Sequence, residues 1–174
     1  MHGHTVWFPL DSVVRIEVGP DRLLGGWVDH KGAIGLNGET EGSSSLGWIV
    51  STPGSAFVVE TAFVDALMDR AHRFTRAACG WLQSAACEAR HLAARNTTGT
   101  AAQRVAGFLV AMDGHGAPGA VFAVTQDEIA RLTGLQRTTA CAVMRSLKLS
   151  KVISYARSKV RVLDRHRLLA VAKA

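Results

Sequence analysis

Cysteine, proline and tyrosine are scarce in this sequence of 174 residues. The three cysteines (Cys79, Cys87 and Cys141) lack paired or clustered spacing, which argues against a disulfide framework and against an iron–sulfur cluster. The N-terminal residues lack the basic and apolar blocks of a signal peptide. The longest predicted helix carries charges such as Asp69 and Arg73, so it is no membrane span. We therefore expect a cytoplasmic protein without a membrane partner.

Residues for catalysis or cofactor binding are equally sparse. His2 and His4 form only a weak potential metal pair near a chain end, where mobility is the rule. No nucleophile–base pair is recognisable in the sequence. Cys141 could be a redox-sensitive thiol, although a small packing residue is the favoured interpretation. We expect no enzyme, no cofactor and no metal.

The first 60 residues have the pattern of a β domain. Short runs of apolar and β-branched residues alternate with turn signals rich in glycine, proline and asparagine. The predicted strands are at 13–18, 27–28, 34–36, 48–50 and 57–59. This length is short for a closed jelly roll of about eight strands, so we expect a partial roll.

From Thr61 onward the apolar pattern becomes that of a long helix. Apolar residues recur at alternating spacings of three and four, which is a heptad seam, with a break expected near residues 68–69. We predict a dimerisation helix, because a long apolar stripe beside a small β domain needs a partner to cover it. Packing of the helix on its own sheet is the alternative. The predicted dimerisation residues are Ala71, Phe74, Ala78, Trp81 and Ala85.

The positive charge is concentrated in the C-terminal part. The formal net charge is +6, with 20 basic and 14 acidic residues. Residues 101–174 hold 12 of the basic and only 4 of the acidic residues. A basic excess confined to one segment is typical of a nucleic-acid-binding module, although a solvated basic surface is the alternative.

Residues 122–163 carry the strongest local pattern. Thr125 and Glu128 have the spacing of a capping box, and Gly134 can take the positive φ that ends a helix. The helix that precedes this segment should begin after capping residues at 96–99 and end within 114–119. The elements predicted from residue 122 onward are a strand at 122–124, helices at 126–132 and 136–147, strands at 152–155 and 160–163, and a final helix from Asp164 to about 172.

In order, these elements make a winged helix-turn-helix. In this motif the N-terminal residues of the second helix point at base edges in the major groove of DNA. Ala140, Val143 and Leu147 should face the core, which leaves the other side of that helix for DNA. A basic tip between the last two strands suits contact with phosphates.

The stretch VTQDEIARLTGLQRTTACAVMRSL and the later VISYARSKVRVLDRHRLLAVA resemble the C-terminal domain of the Crp/Fnr family of bacterial regulators, as does the preceding TTGTAAQRVAGFL. The resemblance covers residues 97–172 well, and it is weaker over 13–96. It implies an α+β protein with a partial cyclic-nucleotide-binding-like β-roll, a long dimerisation helix and a winged helix-turn-helix. The implied domains are a sensor-like roll at 1–68, the dimerisation helix at 69–97 and a DNA-binding domain at 98–174.

The resemblance also implies a homodimer on palindromic double-stranded DNA, with RNA polymerase as a further partner. Arg137 matches the base-reading arginine of the family, whose guanidinium can donate two hydrogen bonds to guanine. Thr125 matches a phosphate-contacting helix N-terminus. The full predicted DNA-binding set is Thr125, Gln126, Gln136, Arg137, Thr138, Thr139, Arg145, Arg157, Ser158 and Lys159.

Several positions depart from the family pattern. Thr138 stands where the family often has glutamate, Ala142 where it often has a second arginine, and Ser158 where it often has glycine. We expect a different and looser base preference. In the stretch GAIGLNGETEGSSSLGW, Ser44 or Ser45 replaces the phosphate-binding arginine, and no basic residue lies between Gly32 and Ser55. We therefore predict that cyclic nucleotides do not bind.

The sequence leaves three functions open. The first is a regulator that acts through DNA binding alone, and the second is a regulator gated by a different small molecule. The third is a protein-interaction module that pairs with a related regulator and blocks it. Binding to selected DNA separates the third from the others, and ligand-dependent stabilisation separates the second from the first.

Overall fold

The computed structural model describes residues 5–36, 46–116 and 119–174. An N-terminal β part is followed by three consecutive helices and a mixed C-terminal part. The elements are β1 (Thr5–Pro9), β2 (Val13–Val18), β3 (Leu23–Val28), β4 (Leu46–Thr52), β5 (Ala56–Glu60), α1 (Thr61–Arg70), α2 (His72–Thr98), α3 (Ala101–His115), β6 (Phe122–Ala123), α4 (Gln126–Leu132), α5 (Arg137–Leu149), β7 (Ile153–Ala156), β8 (Lys159–Val162) and α6 (Arg165–Lys173).

The N-terminal strands form two open antiparallel sheets. One sheet pairs β1 with β5, and the other has the order β3-β2-β4. The strand predicted at 34–36 is wrong, because Ile34 makes only an isolated bridge to Trp7. Strand β1 is absent from the sequence-based prediction; it gains its partner only when β5 returns from far along the chain.

Two glycines make most of β3 hard to predict from the sequence. Gly25 and Gly26 resemble a turn, so the sequence predicts only residues 27–28 as strand, yet both glycines lie inside β3. A Cβ atom on Gly25 would lie 2.7 Å from the Val18 side chain in the paired strand. Glycine is therefore required here by the close approach of a neighbouring strand, not by a reversal of the chain.

The predicted helical break lies slightly later than expected. α1 ends at Arg70, and Ala71 has non-helical backbone angles (φ −117°, ψ 84°) before α2 begins. The Thr75 hydroxyl donates to the Met68 carbonyl across this break, at 2.5 Å. The interruption predicted at 96–99 also lies later than expected, because α2 runs to Thr98. Helix α3 then begins after Thr100, which forms a capping box with Gln103.

The largest apolar core lies in the C-terminal part and continues into the β-roll. Phe108, Leu109 and Ile129 are almost completely buried within it. Leu24 and Trp27 of β3 belong to the same cluster. The roll and the C-terminal module are therefore packed together. Among the described residues, no helix combines the length and apolar character needed to cross a membrane.

Candidate nucleic-acid interface

The helix-turn-helix begins at a complete capping box. Glu128 N–H donates to Thr125 Oγ1 at 3.1 Å, and Thr125 N–H donates to Glu128 Oε2 at 2.9 Å, which confirms the predicted cap. Burial raises the pKa of Glu128, but the hydrogen bonds from Thr125 and the charge of Arg15 outweigh it, so the pKa is lower than usual. At the other end of α4, Gly134 takes the predicted positive φ of 63° and lets the chain turn into α5.

The recognition helix α5 has a buried back and an exposed front. Ala140, Met144 and Leu147 are buried, whereas Val143 is half-buried against the same core. Met144 was not predicted to face the core, because Val143, the residue directly before it, was assigned to that side of the helix. The exposed front, here called the recognition face, consists of Gln136, Arg137, Thr138, Ala142 and Arg145.

Two residues at the start of α4 contact the recognition helix. Asp127 Oδ1 lies 2.9 Å from Arg137 Nε in an ion pair whose side chains are 62% and 70% exposed. Gln126 Oε1 accepts a hydrogen bond from Cys141 Sγ at 2.9 Å. Cys141 is therefore half-buried between the two helices.

The wing is a tight two-residue hairpin between β7 and β8. Arg157 and Ser158 form its tip with positive φ angles of 49° and 61°, as the primed hairpin turns require. The Ser158 carbonyl accepts from Val124 N–H at 2.9 Å, which fixes the tip beside β6. Arg157 and Lys159 are exposed on either side of Ser158. Ser158 takes a positive φ, which glycine adopts at no steric cost, and this explains why glycine suits the position.

The structure brings the predicted DNA-binding residues onto α4, α5 and the wing. The exposed members are Gln136, Arg137, Thr138, Arg145, Arg157 and Lys159. The half-buried members are Thr125, Gln126, Thr139 and Ser158.

The predicted dimerisation residues face the chain's own roll. Phe74 packs against the cluster of Val6, Ala33 and Val64, and Ala78 is buried. Trp81 lies so close to Gly32 that a Cβ there would be 2.5 Å from the indole Nε1. Ala71 and Ala85 are half-buried. This arrangement corresponds to the alternative in which the helix packs on its own sheet.

A cluster of ion pairs between β2 and α4 was missed by sequence reasoning. It consists of Arg15, Glu17, Glu128 and Arg131, and we call it the β2–α4 ion cluster. Arg131 donates two hydrogen bonds to the Glu17 carboxylate, at 3.0 and 3.1 Å, and Arg15 donates a third at 3.1 Å. Burial raises the pKa of Glu17, but both arginines lower it, and the net pKa lies below its usual value.

The signal for this cluster was present in β2. Arg15 and Glu17 alternate with Val14, Ile16 and Val18, so both charges lie on one face of the strand. They are 4% and 2% exposed, and they neutralise each other where β2 meets α4. Sequence alone does not show which segment covers that face.

A second polar contact joins Asp29, the residue after β3, to α2 and the end of α3. His115 Nδ1 lies 2.9 Å from Asp29 Oδ2, and His115 Nε2 lies 3.7 Å from Glu88 Oε1. Burial lowers the pKa of His115, but the two carboxylates raise it by more, so the net pKa is raised. The His115 ring also lies 6.0 Å from the Trp27 ring, centroid to centroid.

Two predictions fall on residues that the structure does not describe. The replacement of a phosphate-binding arginine by Ser44 or Ser45 lies outside the described residues, as does the potential metal pair of His2 and His4. Within the described ranges, no group of three metal-binding side chains is found.

Comparison with known proteins agrees with this geometry. Residues 103–171 match the family model described as the Crp-like helix-turn-helix domain. Residues 103–171 are therefore similar to a Crp-like helix-turn-helix domain. The resemblance inferred from the sequence is thereby confirmed. No curated protein sequence matches the chain significantly.

Solved structures extend the likeness to the whole fold. FixK2 from Bradyrhizobium japonicum is 20% identical with a TM-score of 0.79, over 98% of this chain and 88% of FixK2. A CRP/FNR-family transcriptional regulator from Thermus thermophilus is 19% identical with a TM-score of 0.77, over 97% of this chain and 88% of the regulator. The described chain therefore has the fold of Crp/Fnr transcriptional regulators, and the predicted α+β class is confirmed.

Proposed function

We propose that this protein is a Crp/Fnr-type transcriptional regulator that binds DNA as a homodimer, with one α5 helix in each of two successive major grooves. The observation that carries the proposal is the recognition face, exposed on a helix whose back is anchored by buried Ala140, Met144 and Leu147. A rigid helix with an exposed N-terminal front is what direct readout of base edges requires.

The charges around α5 suit this function. Arg137 can read guanine through two hydrogen bonds to O6 and N7. Arg157 and Lys159 on the wing can contact phosphates, which adds affinity for any sequence. Thr125 at the start of α4 matches a phosphate-contacting position of the family, although its own N–H donates to Glu128.

Selection of bound sequences from random double-stranded DNA tests the proposal. We expect a palindromic consensus, with half-sites about 34 Å apart from centre to centre. Arg137→Ala should weaken binding to the selected site by about 1–3 kcal/mol and relax one base position in each half-site. Arg73→Ala, which removes an exposed arginine from α2, is the charge-matched control. If Arg137→Ala bound the selected site as tightly as the control does, the proposal would be contradicted.

We place the homodimer contact on the exposed side of α2. Small and apolar residues recur there with heptad spacing, one position displaced from the seam that faces the roll. Close approach of two helices is easiest along small residues. The residues concerned are Cys79, Leu82, Ala86, Ala89 and Ala93.

Sedimentation of single variants tests this placement. Leu82→Glu should give monomers in analytical ultracentrifugation, because it puts a charge in the middle of the apolar stripe. His91→Glu introduces the same charge at an exposed position away from the stripe and serves as the control. An unchanged dimer in Leu82→Glu would exclude this face.

A regulator gated by a small molecule is the second candidate. A cavity of about 280 Å³ lies between the roll and α2, lined by apolar residues such as Ile16, Trp48 and Ala85. Trp27 also lines it, and its buried indole N–H has no hydrogen-bond partner within the described chain. An unpaired buried donor favours a ligand that brings an acceptor atom.

A thermal-shift screen of small carboxylates and carbonyl compounds tests the second candidate. A genuine ligand should stabilise the wild-type protein but not Trp27→Phe, which keeps a ring and removes the N–H donor. Equal stabilisation of both proteins would exclude the Trp27 donor from ligand recognition.

A further inference from the structure

We infer that Asp127 is a positioning residue for Arg137, and that the ion pair between them raises the sequence specificity of DNA binding. The inference rests on the proposed function, since it concerns how the recognition face works. Asp127 belongs to α4, whereas Arg137 is the first residue of α5, so the pair bridges the two helices of the helix-turn-helix.

The geometry of the pair leaves the base-reading edge of Arg137 available. The closest approach, 2.9 Å, is between Asp127 Oδ1 and Arg137 Nε. Within the described chain, no acceptor takes a hydrogen bond from the terminal nitrogens of Arg137. These are the atoms that pair with guanine O6 and N7. A carboxylate at the Nε side therefore restricts the long side chain without occupying its terminal donors.

Folding stability does not account for the pair. Both side chains are more than half exposed, and exposed pairs contribute only about 0–1 kcal/mol. At the surface of DNA the situation differs, because water is partly excluded and the attraction between Asp127 and Arg137 becomes stronger. The same carboxylate also repels phosphates, an effect that does not depend on the base sequence.

Only the first of these effects changes specificity. Restriction of Arg137 favours the correct base, whereas repulsion of phosphates weakens attachment to every sequence alike. Removal of the charge should therefore lower the ratio of the affinity for the selected site to the affinity for random DNA. A role limited to the charge at the α4 N-terminus would change stability instead, and would leave the ratio of the two affinities unaltered.

The test compares affinities of the full chain for the selected site and for random duplex DNA, by fluorescence anisotropy at one salt concentration. Asp127→Asn keeps the size of the side chain and removes the charge. We expect the ratio of the two affinities to fall about three- to tenfold, which is part of the loss expected on removing Arg137. Asp69→Asn, at an exposed position of α1, is the matched control.

The double variant with Arg137→Ala decides the mechanism. If Asp127 acts through Arg137, Asp127→Asn should change the ratio little further once Arg137 is absent. An unchanged ratio in Asp127→Asn, or an equal fall with and without Arg137, would overturn the inference while leaving the proposed function intact. A wild-type protein without any sequence preference would overturn the proposed function itself, and this inference with it.

Discussion

Replacement of Glu17 should destabilise the protein far more than replacement of its exposed partner. Glu17 is 2% exposed and accepts hydrogen bonds from Arg15 and Arg131. Without this carboxylate, Arg15, which is 4% exposed in the wild type, retains Glu128 at 3.5 Å as its remaining acidic neighbour among the residues that the structure describes. Breaking a buried pair by removing one partner costs about 3–5 kcal/mol, because the remaining charge is left without compensation. That is a large share of the roughly 5–15 kcal/mol typical of a domain.

Arg131→Ala should cost much less. Its side chain is 36% exposed, so water screens its charge, and Arg15 continues to neutralise Glu17 after the change. We expect about 1 kcal/mol for this variant, in the range of exposed pairs. The difference in destabilisation between the two variants tests whether Arg15 is the buried charge that Glu17 must neutralise.

Urea unfolding followed by circular dichroism, at one fixed protein concentration, measures both costs. Replacement of Arg15 and Glu17 together by Met and Leu should cost less than Glu17→Ala alone, because no buried charge remains. If Arg131→Ala were as costly as Glu17→Ala, the reasoning would be refuted. The same would follow if the double replacement were the most destabilised protein.

Two further expectations concern charge. Because the pKa of His115 is raised in the folded state, its ion pairs stabilise the fold fully below pH about 6.5 and lose this contribution as the pH rises through the higher folded pKa. Urea unfolding of His115→Gln should lack this decline in stability above pH about 6.5, and a decline equal to that of the wild type would assign it to other groups. Lys159→Ala on the wing should weaken binding to all DNA sequences similarly and reduce the slope of log K against log salt by about one, whereas an altered consensus would show that Lys159 reads bases.

The helix-turn-helix was predictable because its determinants are local. The capping box of Thr125 and Glu128 and the turn at Gly134 each lie within a few residues of what they control. The bounds predicted for α4 agree with the structure, and those of α5 differ by one or two residues. The wing hairpin likewise depends on two adjacent residues.

The roll and its contacts were less predictable because their determinants are distant in sequence. Gly25 resembles turn punctuation until the neighbouring Val18 is in place. Arg15 and Glu17 resemble surface charges until α4, more than 100 residues later, covers them. A periodic pattern shows which side of a strand is polar, but it does not name the segment that will neutralise it.

The long helix α2 likewise shows that a sequence pattern does not identify the segment that covers it. Its seam of Phe74, Ala78 and Trp81 has a heptad spacing, and such spacing states only that one side of the helix is covered. In the structure the roll covers that side, since Trp81 occupies the space beside Gly32. The stripe that includes Leu82 lies about 100° around the helix and remains exposed. A homodimer through this stripe would leave the contacts of Phe74 and Trp81 with the roll intact, although Leu82, Ala86 and Ala89 also line the cavity between the roll and α2.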